Sequence, residues 1–459
     1  MQDVTRRRFL RSSALCAGSA LFANMAIAEG AASKRPNIIL CMTDDQGWGD
    51  TGYNGHPVLR TPNLDQMARD GLQFERFYAG APVCSPTRGS CITGRHPYRY
   101  GVFFANVGRI EPEEITLAEA LKPLGYATGH FGKWHLGTLT TAMKDSNRGA
   151  PGNMADYAPP WDNGFDVCFS TEAKVPTYWH EGDYASYGTH YWTGPGETAP
   201  AAEILGDDSA LIVDRAIPFI QQAAKQDTPF LAVVWFHTPH LPVVSAPPYT
   251  DGYDEHQDYY GCLTAMDEQM GRLRATLQDL GIEENTMLWF CSDNGPEGDD
   301  SAPGRTKGLR GRKRSLYEGG VRVPGLLVWP NKIKESRTVT MPCGTIDYFP
   351  TIMDALGYAL PALETRPYDG ISLMPVIKND MTERPRPIGF ESQNHAALID
   401  NRYKLIGEAD GPYELYDIIR DPTETRDLSG EHPETLSRMQ ETLEHWRRCC
   451  ENSLKGHDY

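Results

Sequence analysis

Two pairs of polar residues have the types and the spacing of a metal site. Asp44 and Asp45 directly follow one short apolar run, and Asp293 and Asn294 directly follow another. Carboxylate and amide oxygens without a neighbouring histidine favour Ca²⁺, or else Mg²⁺, over zinc. Ligands gather at the carboxyl ends of parallel strands, so we expect the two pairs to share one ion. Either pair alone is also typical of an ordinary strand-end turn.

Cys84 lies between those pairs and opens the run Cys-Ser-Pro-Thr-Arg, which is followed by Thr-Gly-Arg at residues 93–95. A bare Cys-x-Pro-x-Arg occurs by chance in roughly a few per cent of chains of this length, and a lone cysteine is more often a buried structural residue. Together with the acidic pairs, the motif resembles the signature of the type I sulfatases of the alkaline phosphatase superfamily. In that family the cysteine is oxidised to Cα-formylglycine. The resemblance implies that Cys84 gives the hydrated nucleophile and faces the metal, and that Arg88 holds the hydrate.

The hexapeptide Gly-Lys-Trp-His-Leu-Gly at residues 132–137 matches the second signature of the same family. The resemblance implies that Lys133 binds a sulfate oxygen and that His135 takes a proton from the hydrate. If the segment is extended, the two side chains project to one side. A lone Lys-x-His would more often be a surface pair.

Two further segments complete the predicted site by resemblance. In Phe-His-Thr-Pro-His-Leu-Pro at residues 236–242, His240 matches a catalytic, substrate-binding histidine, and His237 is a second candidate for substrate binding or a structural residue. Lys313 lies four residues before Tyr-Glu-Gly-Gly, as the family's sulfate-binding lysine does. A basic run is normally a solvated surface, which we predict for Arg312 and Arg314.

The resemblance implies hydrolysis of sulfate esters through a covalent sulfo-enzyme. Such cleavage needs fixed cations around the sulfate and a proton donor for the departing oxygen. We expect the metal ion, Lys133 and Lys313 to supply the charge, and His240, aided by Lys313, to supply the proton. Two alternatives stay open: a phosphonate or phosphate diester hydrolase of the same superfamily, and a non-catalytic sulfated-glycan binder whose Cys84 is unmodified.

Residues 1–28 have the composition of an export signal. Two of their arginines precede Phe-Leu, and an uncharged run then leads to Ala-Ile-Ala, which resembles a twin-arginine signal peptide. The uncharged run is short and polar for a stable membrane anchor. We therefore predict export by the twin-arginine machinery to a periplasmic or extracellular location, after a formylglycine-generating maturation enzyme has met the chain in the cytoplasm.

Charge and cysteine usage exclude several classes of protein. The net charge is −17, and it becomes more negative without residues 1–28, so nucleic acid and anionic membranes are not expected partners. An anionic substrate must then be attracted locally. Nine cysteines follow residue 28 without a Cys-x-x-Cys pair, so neither a disulfide scaffold nor a zinc site is predicted.

Short apolar runs alternate with helical patterns, which predicts an α/β fold with a mostly parallel central sheet flanked by helices. By resemblance the architecture is alkaline-phosphatase-like. We predict a catalytic domain at residues 33–383 and a smaller C-terminal α+β domain, a short antiparallel sheet plus a helix, at residues 384–459. Predicted strands are 37–43, 230–236, 286–291, 326–329, 396–399, 403–406 and 414–417, and predicted helices are 63–77, 209–225, 254–281 and 433–450.

The stretch from Lys144 to Pro200 is loop-like and rich in tyrosine and tryptophan. Long insertions of this kind are usually functional or disordered, and aromatic rings favour a binding wall. With the predicted export, this makes O-sulfate groups on a polysaccharide or glycosaminoglycan fragment the expected substrate.

Overall fold

The computed structural model describes residues 34–358 and 366–458, and Pro36–Tyr459 forms one compact unit. The predicted signal at residues 1–28 lies outside the described residues. Strands are β1 Asn37–Thr43, β2 Leu72–Phe74, β3 Phe77–Tyr78, β4 Ala127–Lys133, β5 Val167–Thr171, β6 Tyr178–Trp179, β7 Trp192–Gly194, β8 Glu197–Thr198, β9 Gly206–Asp207, β10 Phe230–Trp235, β11 Thr286–Ser292, β12 Arg322–Val323, β13 Gly325–Val328, β14 Arg337–Val339, β15 Cys343–Gly344, β16 Ile388–Ser392, β17 His395–Ile399, β18 Tyr403–Glu408 and β19 Tyr413–Asp417.

The helices of the described ranges are α1 Pro62–Asp70, α2 Cys84–Thr93, α3 Leu117–Leu121, α4 Asp183–Tyr187, α5 Asp208–Lys225, α6 Gln257–Asp279, α7 Glu318–Val321, α8 Tyr348–Ala355, α9 Met374–Ile377 and α10 Pro433–Leu454. None of these helices combines the length and apolarity that a bilayer span requires.

The central sheet has ten strands in the order β14-β2-β13-β11-β1-β10-β4-β5-β7-β8. Its centre, β11-β1-β10-β4-β5, is parallel, while β13 and β7 pair antiparallel at either side. The sheet is therefore mixed, with the predicted parallel block in the middle. The carboxyl ends of β1, β4, β10 and β11 consequently lie at one edge, which is where a ligand site is expected.

Both faces of the sheet are covered, which explains why its strands read as continuous apolar runs. Along β1, Ile38 and Leu40 enter one hydrophobic core, while Ile39 and Cys41 enter the core on the other face. Helices α5 and α6 contribute to the second core, and α8 to the first. The predicted helices at 209–225 and 254–281 are confirmed as α5 and α6 within a few residues.

The first predicted helix was too long. The prediction was 63–77, whereas the helix in the structure begins at Pro62 and ends at Asp70. Gly71 follows, and residues 72–74 form β2, which pairs with β13. The apolar-polar-apolar alternation of Leu72 to Phe74 was the local signal for a strand.

The C-terminal part forms the predicted small antiparallel sheet, β16-β17-β18-β19, with α10 against it. One face of this sheet packs on α10, since Leu398 and Leu405 join Leu443 in one cluster. The other face packs on the rest of the molecule, where Ile406 and Tyr416 meet Tyr78. The predicted boundary at residue 384 remains a prediction.

The aromatic insertion buries several of its rings. Trp179, Tyr191 and Trp192 are buried, and Tyr191 stacks on Phe169 with ring centroids 4.1 Å apart. These three rings therefore cannot form a binding surface, whereas Tyr178 and Tyr187 of the same insertion are half-buried. Burial of apolar side chains is favourable whether they pack against the rest of the protein or against a ligand.

Candidate active site

Cys84 is the first residue of α2, a helix that is buried along its whole length. The preceding turn is tied by Thr87, whose hydroxyl donates to the Ala81 carbonyl at 2.9 Å and accepts from the Ala81 N–H at 3.1 Å. Burial raises the pKa of the Cys84 thiol. An unmodified thiol here is a poor nucleophile at neutral pH, because the thiolate is the reactive form.

The two polar pairs meet as predicted. Strands β1 and β11 are neighbours in register, with Thr43 beside Ser292, so the residues that follow each strand converge. The Asp45 N–H donates to Asp293 Oδ1 at 3.1 Å, and Asn294 Nδ2 donates to Asp45 Oδ1 at 2.7 Å. Asp45 has a left-handed backbone with φ 67°, which turns the chain sharply at the strand end.

The donor atoms of this cluster fit a hard cation. Asp44, Cys84 and Asp293 each offer one ligand atom, and these three atoms lie within 4.8 Å of one another. Asp44 Oδ1 and Asn294 Oδ1 are buried without a hydrogen-bond partner. Buried oxygens are normally satisfied, and a divalent cation is what such oxygens bind. The predicted metal ligands therefore lie together, and two of their oxygen atoms are not occupied by hydrogen bonds.

The charges of the cluster point the same way. Burial opposes ionisation of Asp44, yet Lys133 and neighbouring cations hold the pKa of this carboxyl well below its ordinary range. Burial and the Asp44 charge raise the pKa of Asp293. Two carboxylates in one buried site repel each other, and a bound cation would relieve that repulsion.

Three cations surround the carboxylates. Lys133, the last residue of β4, has Nζ 2.5 Å from Asp44 Oδ2. Arg88 donates from Nη2 to Asp293 Oδ2 at 2.7 Å and from Nη1 to the Lys133 carbonyl at 3.1 Å. Lys313 donates to Asp45 Oδ2 at 2.7 Å. All three side chains are buried. Their electrostatic interactions with the carboxylates are therefore stronger than they would be in water.

The segment from Lys133 to His135 is not extended, so strand alternation does not set the directions of these two side chains. Strand β4 stops at Lys133, and His135 is left-handed with φ 60°. Gly132 has φ 101°, and a Cβ there would lie 1.9 Å from the Trp235 carbonyl oxygen. The glycine therefore permits the close approach of β4 to β10, while His135 is set by a turn and not by strand alternation.

His135 is held in one tautomer by Asn106, a residue that sequence reasoning missed. The His135 Nε2 atom lies 2.7 Å from Asn106 Oδ1, which also accepts from Asn147 Nδ2 at 2.7 Å. An amide oxygen only accepts, so Nε2 carries the proton. Burial and Lys133 lower the pKa of His135 well below its ordinary value, so the ring is neutral. Its buried Nδ1, which has no protein partner, is then a free base.

His240 lies beside the same carboxylates. Its Nε2 is 3.6 Å from Asp45 Oδ2, and its Nδ1 lies 2.7 Å from the Leu241 carbonyl oxygen. Burial lowers the pKa of His240 to about 4. Asp45 outweighs burial at Lys313 and raises the pKa of that lysine. At neutral pH Lys313 is therefore protonated, whereas His240 beside the same carboxylate is neutral.

His237 is placed differently from the other predicted residues. Its ring is fully buried, with Nδ1 2.8 Å from Asp208 Oδ2 and Nε2 2.8 Å from Thr171 Oγ1. Both nitrogens are therefore engaged by the protein. This arrangement ties α5 and β5 to the segment after β10 that carries His240, and it leaves His237 no atom for a substrate.

The comparisons with known proteins agree with this geometry. The Sulfatase family model matches residues 36–358, and the model for the N-sulphoglucosamine sulphohydrolase C-terminal region matches residues 311–448. N-acetylgalactosamine-6-sulfatase of Canis lupus familiaris is 33% identical over 373 residues, which cover 77% of this chain and 68% of that protein. The ulvan-active sulfatase of Formosa agariphila is 30% identical over 437 residues, which cover 86% of this chain and 77% of that protein.

Length and fold complete the comparison. The chain spans about two thirds of the length of the mammalian relatives it matches. The crystal structure of Ps i-CgsB in complex with k-i-k-neocarrahexaose has a TM-score of 0.77 and 25% identity, and the match covers 90% of this chain and 92% of that chain. The family match spans most of the chain and includes every residue of the cluster around Cys84. The chain belongs to the sulfatase family of sulfuric ester hydrolases.

Proposed function

We propose that this protein hydrolyses O-sulfate esters of a carbohydrate, using a formylglycine hydrate made from Cys84. The observation that carries the proposal is the position of Cys84, which shares one buried cluster with Asp44 and Asp293. An aldehyde hydrate that binds a divalent ion must lie beside the carboxylates that hold that ion, and Cys84 does so. A buried structural cysteine needs neither the carboxylates nor the three buried cations around them.

The proposed cluster would hold Ca²⁺, with Mg²⁺ as the alternative, through Asp44, Asp45, Asp293, Asn294 and residue 84. When bound, the ion supplies positive charge to the sulfate oxygens and to the hydrate. Lys133 and Lys313 bind the remaining sulfate oxygens in this scheme, and Arg88 holds residue 84 by the same guanidinium that bonds Asp293. Fixed cations of this kind stabilise the charge that develops during ester cleavage.

In the first half-reaction a bond forms between sulfur and one hydroxyl oxygen of residue 84, whose proton passes to the neighbouring carboxylate of Asp293. The bond between sulfur and the sugar oxygen breaks. The departing oxygen takes up a proton. We assign its transfer to Lys313 and His240, which lie side by side at Asp45. The result is a sulfate ester of residue 84, as in other covalent routes.

In the second half-reaction His135 Nδ1 accepts the proton of the remaining hydroxyl of residue 84. A carbonyl forms, the bond from carbon to the ester oxygen breaks, and sulfate leaves. Addition of water restores the hydrate. Asn106 supports this step because it fixes the His135 tautomer in which Nδ1 is unprotonated. A serine at position 84 lacks the second hydroxyl, so its sulfate ester would accumulate.

The relatives support the substrate class. One is named for activity on ulvan, and a structural neighbour was solved with a neocarrahexaose. We propose a sulfated polysaccharide or glycosaminoglycan fragment as substrate, met in the periplasm or outside the cell after twin-arginine export. A formylglycine-generating enzyme would act on Cys84 beforehand.

The test combines mass analysis with kinetics. The tryptic peptide that contains residue 84 should be lighter by about 18 Da than its thiol form, as expected for the aldehyde. The enzyme should release sulfate from defined sulfated sugars, and Cys84→Ala should lower kcat by at least about 10³-fold, since the nucleophile is gone. Cys91→Ala, in the same helix, serves as the matched control because Cys91 is buried in the core.

Three outcomes would contradict the proposal. Substantial turnover by Cys84→Ala would remove residue 84 from the chemistry. Faster cleavage of phosphate or phosphonate diesters than of any sulfate ester would favour the diester hydrolase alternative. An unmodified Cys84, with binding of sulfated glycans and no sulfate release, would leave the non-catalytic binder.

A further inference from the structure

A large basic pocket lies beside the proposed active site. It has a volume of about 1240 Å³ and is lined chiefly by loop residues 300–312, with residues 55–57 and 423–425 at its rim. Four cationic side chains line it, those of Arg305, Lys307, Arg310 and Arg312. Sites for single small molecules are typically about 300–1,000 Å³, so this pocket has room for more than one sugar.

The acidic residues of the pocket do not neutralise these cations. Glu424 is buried, with Oε1 2.9 Å from Lys404 Nζ. Asp300 is exposed. Arg310 pairs with Glu414 at 3.7 Å, but Arg305, Lys307 and Arg312 have no carboxylate partner among the described residues. The positive charge of the pocket is therefore in excess, although the whole chain has a net charge of −17. An anion repelled by the molecule as a whole is attracted here, over distances shorter than the ~10 Å screening length at moderate salt.

Two of the donors in the pocket have no protein acceptor. The guanidinium of Arg305 has no hydrogen-bond or ion-pair partner among residues 34–358 and 366–458. His56 is nine-tenths buried, and its Nδ1 accepts from the N–H groups of Val58 at 3.1 Å and Leu59 at 2.7 Å. Its proton is therefore on Nε2, which is buried and unpartnered. A buried donor normally has an acceptor, so the His56 Nε2–H is suited to a ligand oxygen, and the exposed Arg305 guanidinium is available to bind the same ligand.

The pocket is joined to the proposed active site by short connections. Arg312 lines the pocket and bonds the Glu297 and Gly304 carbonyls at 3.0 and 2.8 Å, while the next residue, Lys313, bonds Asp45. This corrects the prediction of a solvated Arg312. Adjacent Cα atoms are about 3.8 Å apart, so the backbone at Arg312 and Lys313 borders both the pocket and the proposed active site.

We infer that the basic pocket is a second anion subsite, which holds a sulfate or carboxylate group on a neighbouring unit of the carbohydrate whose sulfate ester lies at Cys84. The inference rests on the proposed function and deepens it to polyanionic substrates. Arg305 and the His56 Nε2–H are the recognising donors, and Lys307 and Arg312 add charge.

The experiment compares two substrates with three variants. The substrates are p-nitrophenyl sulfate, which has no second anion, and a defined oligosaccharide with sulfate on adjacent units. Arg305→Ala should raise KM for the oligosaccharide by about 10-fold or more, since a bond to a charged group is worth ~1.5–3 kcal/mol. It should leave p-nitrophenyl sulfate kinetics unchanged. Arg305→Lys should recover part of the loss, and Arg69→Ala, at an exposed arginine of α1 that bonds Gln66, should change neither substrate.

The outcomes separate this inference from the proposed function. If the wild type releases no sulfate from either substrate, the proposed function fails. If the wild type is active but Arg305→Ala affects both substrates alike, or neither, the subsite is refuted. An oligosaccharide with a uronate in place of the second sulfate distinguishes the two anions, because the Arg305 effect persists with it only if the subsite accepts a carboxylate.

Discussion

The contact between Asn106 and His135 allows a sharp test of the proposed second half-reaction. Asn106 has φ 63°, a left-handed backbone that glycine and aspartate tolerate well. Asn106→Gly therefore removes the acceptor of the His135 Nε2 proton without backbone strain. Asn106→Asp keeps an acceptor oxygen in place, and it is the matched control.

The size of the effect follows from the exposure of Asn106. Because this side chain is exposed, water can replace its oxygen in the glycine variant, and the loss is that of a fixed hydrogen bond and not of a buried charge. Such a bond is worth about 0.5–1.5 kcal/mol, so we expect kcat to fall about two- to tenfold. His135→Ala removes the base itself and should lower kcat by about 10²–10⁴-fold.

The assay is stopped-flow release of p-nitrophenol from p-nitrophenyl sulfate. If the glycine variant slows only the loss of sulfate from residue 84, a burst of product precedes a slower steady rate. In Asn106→Asp the added negative charge raises the pKa of His135, so the acid limb of kcat should move to higher pH. A glycine variant with unchanged kcat and a raised KM would place Asn106 in substrate binding and refute the reasoning.

Further predictions concern the leaving group, the metal and the pH dependence of stability. Lys313→Met should lower kcat for sugar sulfates by more than about 10²-fold, and less for p-nitrophenyl sulfate, whose leaving oxygen needs no proton; equal losses on both would contradict its role as donor. Chelation should abolish activity and lower the melting temperature, and Ca²⁺ or Mg²⁺ should restore both, as calorimetry and sulfate release will show. Burial lowers the pKa of His96 to about 3, so the unfolded chain binds one more proton between that value and pH ~6.5. The free energy of unfolding should therefore fall on acidification by ~1.4 kcal/mol per pH unit within this window. Thermal denaturation at about pH 7 and about pH 5 should show a smaller fall in His96→Gln.

The parallel strands and the strand-end acidic pairs could be read directly from the sequence. Apolar runs such as residues 37–43 and 286–291 are local signals, and β1 and β11 follow them closely. Asp45 and Asp293 meet because neighbouring parallel strands in register end at one edge of the sheet. The pairing of β1 with β11 was therefore enough to bring the two predicted pairs together.

Other features were decided only by tertiary contacts. Nothing local marks Asn106 as the partner of His135, because the two residues are brought together by loops 29 positions apart. The two ring nitrogens of His237 could be assigned only once Asp208 and Thr171 were in place.

What the sequence by itself determined is the chemistry that is available, since residue types and strand-end spacing set the candidate nucleophile, ligands and cations. The tertiary structure alone decided which donors are left without acceptors and which aromatic rings are buried. The physical reason is that hydrogen-bond satisfaction and burial depend on residues far apart in the chain, as the rings of Trp179 and Tyr191 and the unpaired donor of His56 show.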